Sequence, residues 1–231
     1  MKTVLITGAN RGLGLEFCRQ YSNLGWHVIA CCRQPEQAVE LNKLVTKNTS
    51  ITIYKINVLN RKEIDSLANN LCDTAIDLLI ANAGVYGDSS HHGFGNLDYD
   101  DWINVLETNV LGVVKVVEAF MPNLRRSSKP KVAVLSSQMG SIDDNTSGGS
   151  ILYRSSKAAL NATMKSLSID LENDGIGILI FHPGWVKTDM GGPHALIDAE
   201  TSISGMIEQI SYFNMKNTGQ FVKYDGSKLA W

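Results

Sequence analysis

The sequence predicts an α/β fold with a doubly wound parallel sheet of about seven strands and helices on both faces. Three observations support this prediction. Strand-like and helix-like segments alternate along all 231 residues, as expected when a chain winds back and forth across one sheet. The segments 132–135 and 176–181 are near-continuous apolar runs, which is typical of strands buried on both faces. The chain also opens with a strand, a glycine-rich turn and a helix.

The same patterns predict the elements in order. Apolar residues after Lys2 indicate the first strand, and Phe17 and Tyr21 recur at helical spacing until Gly25 ends the first helix. We expect strands near 2–7, 27–32, 51–57, 77–81, 131–136, 176–181 and 220–222, and helices near 12–24, 36–47, 61–72, 99–126, 152–173 and 195–213. Because no repeat, linker or composition break divides the chain, we expect one domain over residues 1–231.

Composition excludes several classes of function. Hydrophobic residues make up 44% and charged residues 19% of the chain, which are ordinary values for a globular protein. The net charge of −2 offers no basic surface for nucleic acid or for an anionic membrane. No segment approaches the roughly 18 apolar residues of a membrane-spanning helix, and the chain enters its first strand without a secretion signal. We therefore expect a cytoplasmic protein.

The cysteines and histidines give no indication of a metal site. The four cysteines lack the spacing of zinc ligands, and we interpret them as small buried side chains in a reducing compartment; they are Cys18, Cys31, Cys32 and Cys72. His91 and His92 lie in a Gly/Ser-rich loop, where we expect them to be solvated. His182 is expected to be packed and hydrogen-bonded at a strand end, and contact with a bound ligand is the alternative.

The turn after the first strand has the features of a dinucleotide-binding site. Gly8 follows the strand, and Gly12 and Gly14 come at the start of the helix. In such turns one glycine permits the tight bend, one lets the backbone approach a pyrophosphate, and one allows close helix packing. The N–H groups of the helix N-terminus would face the phosphates. The spacing GxxxGxG differs from the general GxGxxG, and a glycine turn without a ligand is the alternative.

A tyrosine and a lysine indicate the chemistry. Tyr153 and Lys157 are four residues apart, so they lie on one face of a helix. We expect the Lys157 ammonium to lower the pKa of Tyr153 from its usual value of about 10, which would suit the phenol to proton transfer with a carbonyl. The hydroxyl of Ser137, from another segment, would hold the carbonyl oxygen as charge develops on it. Taken alone, the tyrosine–lysine spacing also occurs by chance.

Together these motifs resemble the short-chain dehydrogenase/reductase family, which has the Rossmann fold. The motifs follow in the family's order over residues 1–189: Thr7-Gly8-(x)3-Gly12-x-Gly14, Asn82-Ala83-Gly84, Ser137, Tyr153-(x)3-Lys157 and Pro183-Gly184. The segment 219–231 is similar to the subgroup that contains bacterial C-factor and related carbonyl reductases. The resemblance implies an oxidoreductase that transfers a hydride to a small carbonyl compound, or from an alcohol in reverse.

The resemblance also implies a catalytic set, which consists of Asn109, Ser137, Tyr153 and Lys157. In this set Tyr153 exchanges the proton, Lys157 also binds the nicotinamide ribose, and Ser137 binds the substrate oxygen. Ser136 is the competitor of Ser137. Asn109, inside the helix predicted near 99–126, would hold a water of the proton relay.

A larger set of residues is implied to bind the cofactor. Asn82-Ala83-Gly84 would line the ribose, and Val186 and Thr188 would contact the carboxamide. Asn57 stands where the family usually has an aspartate at the adenine, and its amide oxygen can still accept a hydrogen bond there. The complete implied set is Gly8, Asn10, Arg11, Gly12, Leu13, Gly14, Arg33, Asn57, Val58, Asn82, Ala83, Gly84, Tyr153, Lys157, Pro183, Gly184, Val186 and Thr188.

The second strand favours NADP(H) over NAD(H) as the cofactor. Enzymes of this fold that use NAD usually place a carboxylate at the end of this strand, on the ribose 2′-hydroxyl. Here the strand runs from His27 to Cys32 without a carboxylate and is followed by Arg33, while Arg11 lies in the glycine turn. Guanidinium groups suit a 2′-phosphate. NAD(H) remains open, because both arginines can also be solvated surface residues.

Three functions compete at this stage. The first is an NADPH-dependent carbonyl reductase, and the second is a C-factor-like signalling or regulatory protein that binds the nucleotide with little turnover. The third is a sugar-nucleotide epimerase or dehydratase, which usually needs a further substrate domain that the remaining chain is too short to form.

Two further expectations concern assembly and mobility. The resemblance implies pairing of the helices near 99–126 and 152–173 in a homodimer or homotetramer, although their apolar faces could also be covered within one chain. The segment 191–205 has Gly191 and Gly205 near its ends, which predicts a lid over the substrate. An ordinary surface helix after a turn is the alternative.

Overall fold

The computed structural model describes residues 1–89 and 93–231. Over these residues the β-strands are β1 (Thr3–Thr7), β2 (His27–Cys32), β3 (Ile51–Lys55), β4 (Leu78–Ala81), β5 (Lys131–Leu135), β6 (Gly177–His182) and β7 (Gln220–Lys223). The α-helices are α1 (Gly12–Asn23), α2 (Val39–Lys47), α3 (Arg61–Asn70), α4 (Tyr99–Leu106), α5 (Gly112–Ala119), α6 (Met121–Leu124), α7 (Ile151–Asp170) and α8 (Ala199–Tyr212). A π-helical turn, Glu107–Leu111, joins α4 to α5, and 3-10 turns occupy Pro35–Gln37, Gln138–Gly140 and Met215–Asn217.

The strands form one parallel sheet in the order β3-β2-β1-β4-β5-β6-β7. Val4 of β1 pairs with Val28 of β2 on one side and with Leu78 of β4 on the other. The chain therefore reverses its direction of winding between β3 and β4. In open sheets of this kind a ligand crevice forms at the carboxyl ends of the strands where the order reverses. The predicted doubly wound sheet of seven strands is confirmed.

Alternating strand residues enter two apolar cores, one on each face of the sheet. Leu5 packs in the core that contains Met164 of α7, and α3 and α5 cover the same face. Ile6 packs in the core that contains Phe17 of α1 and Met206 of α8, together with α2. This two-sided burial explains why the central strands are almost continuously apolar in sequence.

The helix predicted over 99–126 is interrupted. Its central residues form the π-helical turn, which is held by tertiary hydrogen bonds of Asn109 to the backbone of Val85 at 2.8 and 2.9 Å. Pro122, at the start of α6, has no N–H with which to continue the helix. The last predicted helix begins at Ala199 rather than near 195, because Asp198 caps it by accepting a hydrogen bond from the N–H of Thr201.

Two smaller expectations need correction. Three cysteines are buried as predicted, but Cys72 is exposed because it lies in the turn directly after α3. His182 is packed at the end of β6, yet its buried Nδ1 has no hydrogen-bond partner among the described residues. Burial lowers the pKa of His182 to about 4, so the ring is neutral at physiological pH. His91 and His92 lie outside the described residues.

No helix in the described part of the chain is long and apolar enough to cross a membrane. Within residues 1–89 and 93–231, no three His, Cys, Asp or Glu side chains are grouped in a way that could hold a metal ion.

Candidate active site

The glycine turn between β1 and α1 is shaped by close backbone packing. Gly8 has a φ of +68°, in the left-handed region that favours glycine. A Cβ on Gly14 would overlap the carbonyl oxygen of Gly8, so the start of α1 packs directly on the turn. The helix has no side-chain N-cap and no acidic residue in its first turn. Its N-terminal N–H groups and positive dipole end are therefore available to an anion such as a pyrophosphate.

Asn82 ties this turn to the end of β4. Its side-chain amide donates hydrogen bonds to the carbonyl oxygens of Thr7 at 2.9 Å and Gly8 at 3.1 Å. The Thr7 hydroxyl in turn accepts from the N–H groups of Asn82 and Ala83. The side-chain NH₂ of Asn82 is thus used to fix the turn, so any ribose contact from this residue must use its carbonyl oxygen.

We expect Gly14→Ala to lower both stability and nucleotide affinity. The added methyl group must displace the backbone of the glycine turn, which should cost about 1–3 kcal/mol of unfolding free energy. Urea unfolding and calorimetric titration with NADPH measure the two effects. Gly93→Ala is the matched control, because a Cβ there meets nothing within 4 Å. Equal stability and equal NADPH affinity of Gly14→Ala and wild type would contradict the close packing of this turn.

The glycine turn opens into a cavity of about 380 Å³ at the carboxyl ends of β1 and β4. Most residues of the implied cofactor set line it: Gly8, Asn10, Arg11, Gly12, Leu13, Arg33, Asn57, Val58, Asn82, Ala83, Gly84, Tyr153, Lys157, Pro183 and Thr188. Gly14, Gly184 and Val186 do not line it. Val186 is buried and pairs with Ile197 in an isolated β-bridge. Sequence reasoning missed several lining residues, among them Leu59, Thr108 and Met190.

Tyr153, Lys157 and Ser137 lie together beside this cavity. Tyr153 and Lys157 occupy successive turns of α7, and the Lys157 Nζ lies 5.6 Å from the centre of the Tyr153 ring. The same Nζ donates a hydrogen bond to the carbonyl oxygen of Leu135 at 2.7 Å. Ser137 follows β5, and its hydroxyl accepts a hydrogen bond from the N–H of Met139. Its side chain also acts on the Tyr153 phenol, lowering the pKa of that group.

The two neighbouring serines differ in what their hydroxyls contact. Ser136 lines the cavity, but its hydroxyl donates to the Asn161 side chain at 2.5 Å in a fully buried position. Ser137 does not line the cavity, yet its side chain is the one that acts on the pKa of the Tyr153 phenol. These interactions tie the Ser136 hydroxyl to Asn161 and associate Ser137 with the Tyr153 phenol. They favour Ser137 as the group that can share a substrate oxygen with Tyr153.

Burial, rather than the Lys157 charge, decides the pKa values of this pair. Burial raises the pKa of Tyr153 to about 12, and the hydrogen bond with Ser137 opposes the rise. Burial also lowers the pKa of Lys157 to about 8. The expectation that the Lys157 ammonium lowers the pKa of the Tyr153 phenol is therefore wrong. Both side chains are almost completely removed from water, which disfavours phenolate and ammonium alike.

Asn109 lies in the π-helical turn with its side chain fully hydrogen-bonded. The amide oxygen accepts from the N–H of Val85, and the NH₂ group donates to the Val85 carbonyl and to the Ser156 hydroxyl at 3.0 Å. The Ser156 hydroxyl donates to the carbonyl of Tyr153. Asn109 thus connects the loop after β4 to the first turns of α7. Both hydrogens of its amide are used, so a relay water could bind this side chain only by donating to the amide oxygen, which accepts one hydrogen bond here.

The basic residues at the other end of the cavity differ in their partners. Arg11 forms an ion pair with Asp189 at 2.6 Å, and both side chains are largely exposed. Arg33 is also exposed and lines the cavity. The Asn57 amide oxygen accepts a hydrogen bond from the N–H of Leu59, so it is partly used within its own turn. No carboxylate ends β2, in agreement with the sequence.

The predicted lid is folded back on the segment that follows β6. The N–H of Leu196 donates to the Trp185 carbonyl at 3.0 Å, and the Trp185 indole donates to the Gly191 carbonyl at 2.7 Å. Gly205 lies inside α8, where a Cβ would crowd the Tyr224 carbonyl oxygen. The expected hinge at Gly205 is therefore wrong, and mobility of the segment stays a prediction for residues before α8.

Comparison with known proteins agrees with this architecture. A family model described as short chain dehydrogenase matches residues 2–196. C-signal of Myxococcus xanthus is 42% identical over 166 residues, which are 72% of this chain and 99% of the relative.

Two carbonyl reductases are among the solved structures that match along the whole chain. The carbonyl reductase Sniffer of D. melanogaster superimposes with a TM-score of 0.93 at 36% identity and covers 100% of both chains. The NADPH-bound carbonyl reductase from chicken fatty liver superimposes with a TM-score of 0.93 at 33% identity, covering 100% of this chain and 99% of the other.

Proposed function

Because the chain belongs to the short-chain dehydrogenase/reductase family, we propose that this oxidoreductase is an NADPH-dependent carbonyl reductase. The observation that carries the proposal is the cluster of Ser137, Tyr153 and Lys157 beside a cavity that begins at an uncapped helix N-terminus. Two similar solved structures are carbonyl reductases, and one of them is described as NADPH-bound. Met190, which is exposed and lines the cavity, favours a small, fairly apolar ketone or aldehyde.

NADPH held by the cavity lining would supply a hydride for the carbonyl carbon, and residues of the chain supply the proton to the oxygen. Tyr153 keeps its proton throughout the physiological range because burial raises its pKa to about 12. It donates this proton as negative charge develops on the oxygen, which Ser137 stabilises by a hydrogen bond. Lys157, still protonated at neutral pH, stabilises the phenolate that results. The product is the alcohol.

A panel of ketones, aldehydes and quinones tests the proposal. Purified protein is mixed with NADPH and each compound, and the loss of NADPH absorbance is followed. We expect at least one carbonyl class to be reduced with a kcat that depends on Tyr153. NADPH binding without reduction of any compound would instead favour the second candidate, a regulatory protein with little turnover. The 42% identity to C-signal supports this second candidate.

We expect NADPH to bind at least about tenfold more tightly than NADH, which corresponds to about 1.4 kcal/mol. The expectation rests on Arg33 and Arg11 at the cavity and on the absence of a carboxylate at the end of β2. Calorimetric titration with both nucleotides measures the difference, and Arg33→Ala should reduce it.

Two further variants sharpen the NADPH test. Asp189→Asn removes the partner of Arg11, so it should tighten NADPH binding severalfold while leaving NADH unchanged. Arg125→Ala is the matched control, because Arg125 pairs with Asp174 away from the cavity. A preference for NADH, or an equal effect of Arg33→Ala on both nucleotides, would mean that these arginines do not meet the 2′-phosphate.

A further inference from the structure

The N-terminus of α7 is capped from a distant part of the chain. Ser150 precedes the helix and is the kind of residue that usually caps one, but its φ of +46° is left-handed and its side chain makes no capping hydrogen bond. Asp88, in the loop after β4, takes this place. One carboxylate oxygen accepts from the N–H of Leu152 at 3.2 Å, and the other accepts from the N–H of Tyr153 at 2.8 Å.

The segment 85–88 that carries this carboxylate is itself firmly held. Val85 exchanges two backbone hydrogen bonds with the Asn109 side chain. The Tyr86 hydroxyl lies 2.7 Å from the Ser150 hydroxyl, and the Tyr86 ring packs 4.9 Å from the ring of Tyr153. A Cβ on Gly87 would overlap the side chain of Val105, so the segment fits closely against α4.

We propose that Asp88 is a positioning residue for Tyr153, holding the first turn of α7 so that the phenol meets Ser137 and the substrate carbonyl. The proposal rests on the proposed function. Tyr153 lies in the first turn, whose N–H groups have no partner within the helix. Without Asp88 this turn can fray, and a displacement of about 1 Å at a reacting group can cost about a hundredfold in rate.

The effect of Asp88 should decline along the helix. Lys157 lies one turn further, is held by its hydrogen bond to Leu135, and packs against Gly140. Leu160 and Met164 anchor the next turns in the core. Loss of the Asp88 carboxylate should therefore disturb the proton donor while leaving the fold, Lys157 and nucleotide binding largely intact.

Asp88→Ala and Asp88→Asn, with Asp98→Ala as the matched control, test the proposal. Asp98 also caps a helix, accepting from the N–H of Asp101 at 2.9 Å, but α4 does not carry the proton donor. With NADPH and the best carbonyl of the panel, Asp88→Ala should lower kcat by about 20- to 100-fold. The NADPH Kd should change less than twofold. Asp88→Asn keeps one acceptor oxygen and should recover part of kcat. Asp98→Ala should lose about as much stability as Asp88→Ala, but its kcat should be unchanged.

A second measurement does not depend on activity. In protein labelled with 13C on tyrosine rings, the Tyr153 signal is identified by its loss in Tyr153→Phe. Asp88→Ala should shift or broaden this signal and speed amide exchange at residues 152 and 153 more than tenfold, whereas Asp98→Ala should do neither.

The outcomes separate the two proposals. An unchanged Tyr153 signal, or a changed signal with wild-type kcat, overturns the positioning role of Asp88. A changed signal in a protein that reduces no carbonyl supports the positioning of Tyr153 and overturns the proposed function alone.

Discussion

Tyr153→Phe should reduce kcat for carbonyl reduction by about 10²- to 10⁴-fold, the usual contribution of a general acid. The ring and its packing against Tyr86 remain, but the proton that neutralises the developing alkoxide is lost. The phenol contributes no hydrogen bond to the glycine turn, so the NADPH Kd should stay within about twofold of wild type. Steady-state kinetics on the best carbonyl of the panel and calorimetric titration with NADPH measure the two quantities.

Tyr212→Phe provides the control for this variant. Tyr212 is an exposed tyrosine at the end of α8, and removal of its hydroxyl should leave both quantities unchanged. Near wild-type kcat in Tyr153→Phe would remove Tyr153 from the role of proton donor.

Lys157→Met should lower turnover and weaken NADPH binding, yet make the protein more stable at neutral pH by about 1–2 kcal/mol. Lys157 is a buried cation with no carboxylate partner among the described residues, and burying an unpaired charge is costly, so an apolar side chain of similar size should be more stable there. The hydrogen bond to the Leu135 carbonyl is lost in the exchange and offsets part of the gain. Such a result would mean that the site trades stability for function.

The pH dependence of stability identifies Lys157 as the cause. Its pKa falls from 10.5 in the unfolded chain to about 8 in the fold, so the unfolded chain binds more protons between these values. Lys157 therefore costs stability below about pH 8, and wild-type stability should rise relative to Lys157→Met as the pH increases from 8 toward 10.5. Urea unfolding of both proteins at several pH values measures the difference. A difference that does not change with pH would contradict the lowered pKa.

The sheet could be predicted because its signals are local. Apolar runs such as 176–181 and the glycines after β1 report strands and a tight turn without reference to the rest of the chain. The order and spacing of the motifs also predicted most of the cavity lining, from Gly8 to Thr188.

What could not be predicted depends on contacts between distant segments. Residues 107–111 have no sequence feature that distinguishes them from an α-helix. Their π-helical turn is held by the hydrogen bonds between the Asn109 side chain and the Val85 backbone. Ser150 looks like a helix cap, but the cap is Asp88. The spacing of Tyr153 and Lys157 predicts that both side chains lie on one face of α7. Their pKa values depend on the burial of both side chains, which the spacing cannot predict.

The position of β1 between β2 and β4 has a consequence for how the chain folds. β2 follows β1 closely in sequence. β4 is separated from β1 by a much longer stretch of chain, which must close into a loop before Leu78 can pair with Val4. Such long-range parallel pairings form slowly, because the chain loses the entropy of closing a long loop before the stabilising contacts between the strands are made. Asn82, which fixes the glycine turn, arrives only with β4. A folding intermediate that contains only β1, β2 and β3 therefore lacks the nucleotide cavity, and nucleotide added during refolding can stabilise only chains in which both halves of the sheet have joined.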